Sequence, residues 1–231
     1  MISPPDEESD IPPLYFGRMT RRWQCAVFVL IAFAVTAGSH ATAQTEQTRE
    51  TWQRVSELFA AARVGVGSRV ADVGAGDGFL TVRLASAVGP SGKVYAVDID
   101  EKVLDGLRRR LAEAHITNVD VVVSGEDDPH LPADALDAAF IVNAYHEMPK
   151  GVAVLQRVLA ALKPGGRLVL CEPTPRTANQ NRAAQMNDHV LDPVLILEDL
   201  RAAGFQIVDR QDAFAMNFGG TKFGFIVARR P

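Results

Sequence analysis

Val70-Ala-Asp-Val-Gly-Ala-Gly-Asp-Gly78 decides how the rest of this chain is read. It runs apolar, apolar, acid, apolar and then G-x-G-x-G. A short buried strand that ends in glycines lets the backbone come close to a ligand at its carboxyl end. That is the edge where open α/β sheets bind their ligands. Twenty residues beyond Gly78, at the end of a second apolar run (Lys93–Asp98), stands Asp98. An acid in that place accepts both hydroxyls of a ribose. The two stretches together read as a nucleoside site.

Outward from this centre the chain alternates strand and helix. Residues 47–64 put Trp52, Val55, Leu58, Phe59 and Ala62 on one helical face. Arg69–Val73 is the first strand, Phe79–Val88 a helix and Lys93–Asp98 the second strand. Glu101–His115 is a helix, Val119–Val123 a third strand and Ala138–Asn143 a fourth. Val152–Leu162 is a helix stopped by Pro164-Gly165-Gly166, and Arg167–Glu172 is a fifth strand. Val194–Ala203 is a helix closed by Gly204. Gln206–Arg210 and Gly224–Arg229 form a last strand pair about Gly219-Gly220. Five strands interleaved with helices predict a Rossmann-like, doubly wound α/β fold with helices on both faces of the sheet. The last two strands have no helix between them, so one of the seven runs antiparallel.

The identity of the nucleoside follows from charge. Dinucleotide sites use G-x-G-x-x-G, with a helix N-terminus on a pyrophosphate. Here the spacing is G-x-G-x-G, with Asp72 before the glycines and Asp77 among them. Two acids repel a pyrophosphate and attract a ligand that carries an ammonium and a sulfonium. That favours S-adenosylmethionine over a nicotinamide dinucleotide. An NAD-dependent oxidoreductase is the less favoured alternative.

On these residues the chain resembles the class I S-adenosylmethionine-dependent methyltransferases, in the branch related to quinone-biosynthesis C-methyltransferases. Val70–Gly78 is similar to that family's first motif and Tyr95-Ala-Val-Asp98-Ile-Asp to its ribose motif. Leu162-Lys-Pro-Gly-Gly-Arg-Leu-Val-Leu170 is similar to the stretch leading into its fifth strand. The resemblance covers residues 69–172. It implies a seven-stranded sheet with an antiparallel C-terminal strand and S-adenosylmethionine as methyl donor. It also implies contacts by position. Asp72 faces the methionine amino group through water, and Gly74, Ala75 and Gly76 line the methionine. Asp98 binds the ribose and Ile99 packs on adenine. An acid of Gly125-Glu126-Asp127-Asp128 reaches the adenine amine, with Asp127 preferred and Glu126 next. Asn143 offers backbone to the donor. Other duties stay open for two acids: Asp72 as an acceptor for turn amides, and Asp98 as a helix N-cap. Asp128 reads as a solvated or capping acid, and Cys171 as a core residue.

The acceptor side is read from Asn143-Ala-Tyr145-His146-Glu147-Met148, after the fourth strand. His146 is placed as a base, since imidazole titrates near neutrality, and Tyr145 as the residue that orients the acceptor. The alternative is that His146 or Glu147 only ties the loop to neighbouring backbone. Glu172 is expected at the pocket rim and His189 in a loop that caps the acceptor site. Asp188, His189 and Asp192 lack convincing spacing for a metal-dependent site, so no metal is expected. Asn-Ala-Tyr-His departs from the Asn-Pro-Pro-Tyr of nucleotide-amine methylation. A small-molecule acceptor is expected, reached by in-line displacement.

Composition agrees with this. The chain has 231 residues, 24 basic and 28 acidic, for a net charge of -4, which does not favour bulk nucleic-acid binding. Two cysteines, Cys25 and Cys171, cannot build a disulfide framework or a cysteine zinc site. Residues 1–18 read as a disordered segment. Arg21-Arg22, the apolar run from Trp23 to Gly38 and Ala41-Thr42-Ala43 read as a signal peptide, or as an anchor that could touch a membrane if uncleaved. Met19 is the expected translation start. The division is therefore a leader over 1–43 and a methyltransferase domain over 44–231. A leader implies a protein that is exported, periplasmic or secreted, or held at the inner membrane. It places the domain away from cytoplasmic methyl donor, which keeps an exported adenosyl-binding pseudoenzyme as the non-enzyme alternative. Oligomeric state is not legible here.

Overall fold

The computed structural model describes residues 45–176 and 180–231. The expected leader, its cleavage site and the Met19 start lie outside the described residues. Among the described residues no helix is long and apolar enough to cross a membrane.

The strands follow the expected order, with one helix, Arg182–Asn187, that the sequence did not lead us to expect. Helix α1 (45–53) runs into α2 (Val55–Ala62). Then come β1 (Arg69–Val73), α3 (Phe79–Val88), β2 (Lys93–Asp98), α4 (Glu101–Glu113), β3 (Val119–Val123) and β4 (Leu136–Val142). A single 3-10 turn (Tyr145–Glu147), α5 (Gly151–Ala161), β5 (Leu162–Pro173), α6 (Arg182–Asn187), α7 (Pro193–Ala202), β6 (Gln206–Met216) and β7 (Lys222–Arg229) complete it. The helix expected over 47–64 breaks at Arg54, which takes a left-handed conformation with φ 51°. There its guanidinium donates to the Phe214 carbonyl at 2.6 Å and lies over the Phe214 ring, contacts that no helical periodicity reveals.

The seven strands lie in the order β3-β2-β1-β4-β5-β7-β6. β7 runs antiparallel to both neighbours, and the five strands β1 to β5 pair parallel. Central strands of such a sheet are covered on both faces and carry apolar residues on both. On one face Ala71, Val73, Ala139, Ile141, Leu168 and Leu170 pack with Val154, Leu155 and Val158 of α5 and Ile196 and Leu200 of α7. On the other face Val70, Ala138, Phe140 and Val169 pack with Val55 and Leu58 of α2 and Leu84 and Val88 of α3. Cys171 lies on this second face, fully buried, as expected of a core residue. Period two along β1 then puts Asp72, between Ala71 and Val73, on the same face as Val70.

β1 and β4 are neighbours in space although β2, β3 and two helices separate them in the chain. Strand order reverses between them, which is where open α/β sheets leave a crevice. The approach there is close. A Cβ on Gly74, whose φ is +80°, would stand 2.4 Å from the Ala144 Cβ. Gly74→Ala combines left-handed strain with a backbone-anchored clash and is expected to lower the unfolding free energy by about 2–5 kcal/mol. Gly65→Ala, where an added Cβ meets nothing within 4 Å, is expected to change it by less than about 0.5 kcal/mol. Urea unfolding of both variants checks the contrast; equal effects show that the β1–β4 approach is not the constraint.

Candidate functional site

The crevice is a cavity of about 320 Å³ at the carboxyl ends of β1, β2 and β4. Its floor is the loop Gly74–Asp77, its flanks Asp98-Ile99 and Ser124–Glu126, and its far wall Asn143-Ala144 with Glu147–Pro149. Two features shape the floor. Gly74, Gly76 and Gly78 all have positive φ, at +80°, +53° and +79°. The Asp98 carboxylate accepts from the Gly76 amide at 2.8 Å and from the Asp100 amide at 3.0 Å. One acid at the end of β2 thus holds the loop that follows β1. Asp98 is not a helix N-cap. That duty belongs to Asp100, which accepts from the amides of Lys102 and Val103.

The far wall is built in the same way. Glu172, at the end of β5, accepts from the amides of Ala144 (2.8 Å), Tyr145 (3.0 Å) and His146 (3.3 Å), and from His146 Nδ1 (2.7 Å). It is only 1% exposed. Glu172 is therefore not a rim residue as expected but a buried anchor for the turn after β4.

Of the expected donor contacts, Gly74, Ala75, Gly76, Asp98, Ile99, Glu126 and Asn143 line one cavity. Ile99 is 57% exposed, an apolar side chain open to the cavity. Asn143 holds a left-handed φ of 57° while its amide donates to the Cys171 carbonyl at 2.8 Å. Asp127 stands off the wall and Glu126 on it, which reverses the expected preference; Lys150 lies 3.2 Å from Glu126 and 3.7 Å from Asp127. Asp72 also stands off the wall. It is 3% exposed and accepts from the Thr81 hydroxyl of α3 at 2.6 Å, so its partner is a neighbouring helix and not the turn amides.

Tyr145 and His146 do not line the cavity. The Tyr145 hydroxyl donates to Asp199 at 2.9 Å, and Arg182 donates two hydrogen bonds to the same carboxylate. Burial and the nearby Asp199 push the phenol well above its ordinary value, which suits a fixed donor and not an acid at work. The His146 ring is turned onto Glu172 with its other nitrogen toward Glu147. The acceptor-side residues that do reach the cavity are Glu147 and Met148.

Arg49 was not legible as a site residue. It enters from α1, lines the cavity and lies 3.6 Å from Asp77 with its guanidinium over Phe79. Helical periodicity assigns only the apolar side of that helix, so nothing in the pattern aimed a cation at the glycine loop. Glu46 and Glu50 of the same helix pair with Arg83 at 3.6 and 3.0 Å, and Glu46 pairs with Arg110 at 2.5 Å. Among the described residues lining the cavity, Arg49 is the one cation against four acids, Asp77, Asp98, Glu126 and Glu147.

Residues 70–166 match the family described as "Methyltransferase domain". The chain is 32% identical over 122 residues to the ubiquinone/menaquinone biosynthesis C-methyltransferase UbiE of Pseudomonas fluorescens (strain Pf0-1), covering 52% of this chain and 47% of that one. It is 30% identical over 111 residues to a demethylmenaquinone methyltransferase of Geobacillus sp. (strain WCH70), covering 48% and 47%. The chain thus spans about half the length of the curated relatives it matches. Among solved structures, a SAM-dependent methyltransferase from Aquifex aeolicus shares the fold with a TM-score of 0.68 at 22% identity, covering 80% of this chain and 93% of that one. The [4+2]-cyclase SpnF does so with a TM-score of 0.68 at 20% identity, covering 78% and 81%.

Burial raises the Asp72 carboxyl to about 6, against Thr81 and Arg49, which favour its charge. The folded state thus holds the proton more tightly than the unfolded chain, whose value is near 3.9. The stability this confers is complete below about pH 4 and is lost as pH rises through about 6. Asp72→Asn removes the cost of burying the charge. It is expected to raise the unfolding free energy by about 1–3 kcal/mol at pH 8, with the gain fading toward pH 4. Urea unfolding at the two pH values checks it; a gain that does not depend on pH assigns the effect to another cause.

Proposed function

We propose that this chain, whose residues 70–166 match a methyltransferase-domain family, is a class I S-adenosylmethionine-dependent methyltransferase and transfers the donor's methyl group to a small-molecule acceptor by in-line displacement. The observation that carries the reading is the acid-lined cavity at the β1–β4 crossover, with Asp98 fixed at the tip of β2 and Arg49 facing the glycine loop. The donor supplies an activated methyl on a cationic sulfur, so the protein's task is alignment and charge. Each Asp98 oxygen accepts one backbone amide and keeps a lone pair for a ribose hydroxyl. Ile99 offers its apolar face to adenine, and Glu126 accepts from the adenine amine. Arg49 supplies the counter-charge for the donor's carboxylate, while the surrounding acids favour its ammonium and sulfonium. Asp72 adds to that field from behind the loop and does not touch the donor.

The acceptor approaches along Glu147, Met148 and Pro149. Holding it in line with the methyl is worth up to roughly 7–11 kcal/mol of the barrier. A net charge of -4 and an acidic cavity support a neutral or cationic small molecule over a polyanion. The similarity to quinone-pathway C-methyltransferases supports an apolar ring compound as the first acceptor to try.

Calorimetry with S-adenosylmethionine and S-adenosylhomocysteine tests donor binding. Asp98→Ala is expected to weaken both by about 1–3 kcal/mol, through lost charge-assisted hydrogen bonds. Folded protein with no affinity for either ligand overturns the reading. Label transferred from methyl-labelled donor into a product of a small-molecule extract identifies the acceptor.

A further inference from the structure

His146, Glu147 and His189 come together beside the cavity. One ligand-bearing atom of each lies within 4.8 Å of those of the other two. Glu147 Oε1 stands 3.7 Å from His146 Nε2 and 3.3 Å from His189 Nδ1. The two imidazoles meet edge to face at 5.6 Å. Three ligands held at about 2.0–2.2 Å from one metal ion lie about 3.0–3.5 Å from each other, so the cluster needs only a small contraction to close on an ion.

Its surroundings prepare it. Glu172 accepts from His146 Nδ1 and three amides, which turns the Nε2 of His146 toward Glu147. A buried carboxylate behind a ligating imidazole is the arrangement that fixes tautomer and ring direction in metal sites. His189 is set by a left-handed φ of 53° at the end of α6, and its turn is tied back to β5 where the Leu191 amide donates to the Pro173 carbonyl at 2.8 Å. The acids expected beside His189 serve elsewhere. Asp188 accepts from Gln180 at 2.9 Å, and Asp192 caps α7.

We propose that His146, Glu147 and His189 form a binding site for a divalent first-row transition-metal ion at the acceptor side of the cavity. Two imidazoles and one carboxylate select zinc, cobalt, nickel or iron(II) over magnesium and calcium, which take oxygen ligands. Three protein ligands leave open positions. Glu147 also lines the cavity, so those positions lie where an acceptor's oxygen could bind as an anion. The role toward an acceptor rests on the methyl-transfer reading, whereas binding of the ion itself does not.

The test is metal binding to the full chain without donor, with cobalt(II) followed by its visible absorption and zinc(II) by competition. One ion per chain is expected. His189→Asn, which keeps the left-handed turn, and Glu147→Gln are each expected to weaken binding by at least about tenfold. Both side chains are exposed, at 71% and 62%, so these variants should fold, and circular dichroism verifies it. His115→Asn, at another left-handed turn, is expected to leave affinity unchanged. Unchanged affinity in both site variants, no cobalt binding by folded protein, or displacement by equimolar magnesium each overturns the proposal. Donor calorimetry is a separate measurement, so a failed metal titration leaves the methyl-transfer reading standing.

Discussion

Backbone amides that emerge from the ends of parallel strands need acceptors, and two carboxylates meet that need here. The chain leaving β1 is held by Asp98 from the tip of β2, and the chain leaving β4 is held by Glu172 from the tip of β5. In each case the acid belongs to the strand next outward, on opposite sides of the crossover. A buried donor left without an acceptor costs about 1–3 kcal/mol, so each loop has one favoured course. The cavity between the two loops is the space these anchors leave open. Asp98 accepts two hydrogen bonds and Glu172 four, so the walls are held by the chain's own groups. A preorganised site of this kind needs little rearrangement when charge or alignment is required.

Much of this was legible in the residues. Alternating apolar runs and glycine stops gave the seven strands and the antiparallel last pair, because the 2.0 and 3.6 periods report local backbone geometry directly, but not the short α6 or the break at Arg54. The glycine loop and Asp98 were legible because their duties depend on spacing along the chain. Tyr145, Glu172 and Arg49 were not, since each is defined by a partner far away in sequence. Tyr145 looked like a wall residue until Asp199 drew its hydroxyl away from the cavity. Glu172 looked like a rim acid until the amides of the turn after β4 enclosed it. The choice between Glu126 and Asp127 turned on loop geometry, in a stretch where adjacent acids give no register of their own.

The shared fold does not fix the reaction. The same architecture at the same TM-score appears in a SAM-dependent methyltransferase and in a [4+2]-cyclase. Function has to be argued from the side chains at the crossover. Here one side of the cavity is built of backbone amides and acids. The other is built of a turn hung on one buried carboxylate, with His146 fixed by it and Glu147 on the cavity wall beside His146 and His189.

Cys171 has a consequence of another kind. It sits in the middle of the sheet, paired with Val142 on one side and Phe225 on the other. Burial raises its thiol far above the ordinary range, so the nucleophilic thiolate is withheld from solvent. An alkylating reagent can reach it only when the helices packed on its face of the sheet lift away. Once its peptide is resolved from that of Cys25, its rate of labelling clocks the opening of the core on that face and reports the domain's kinetic stability.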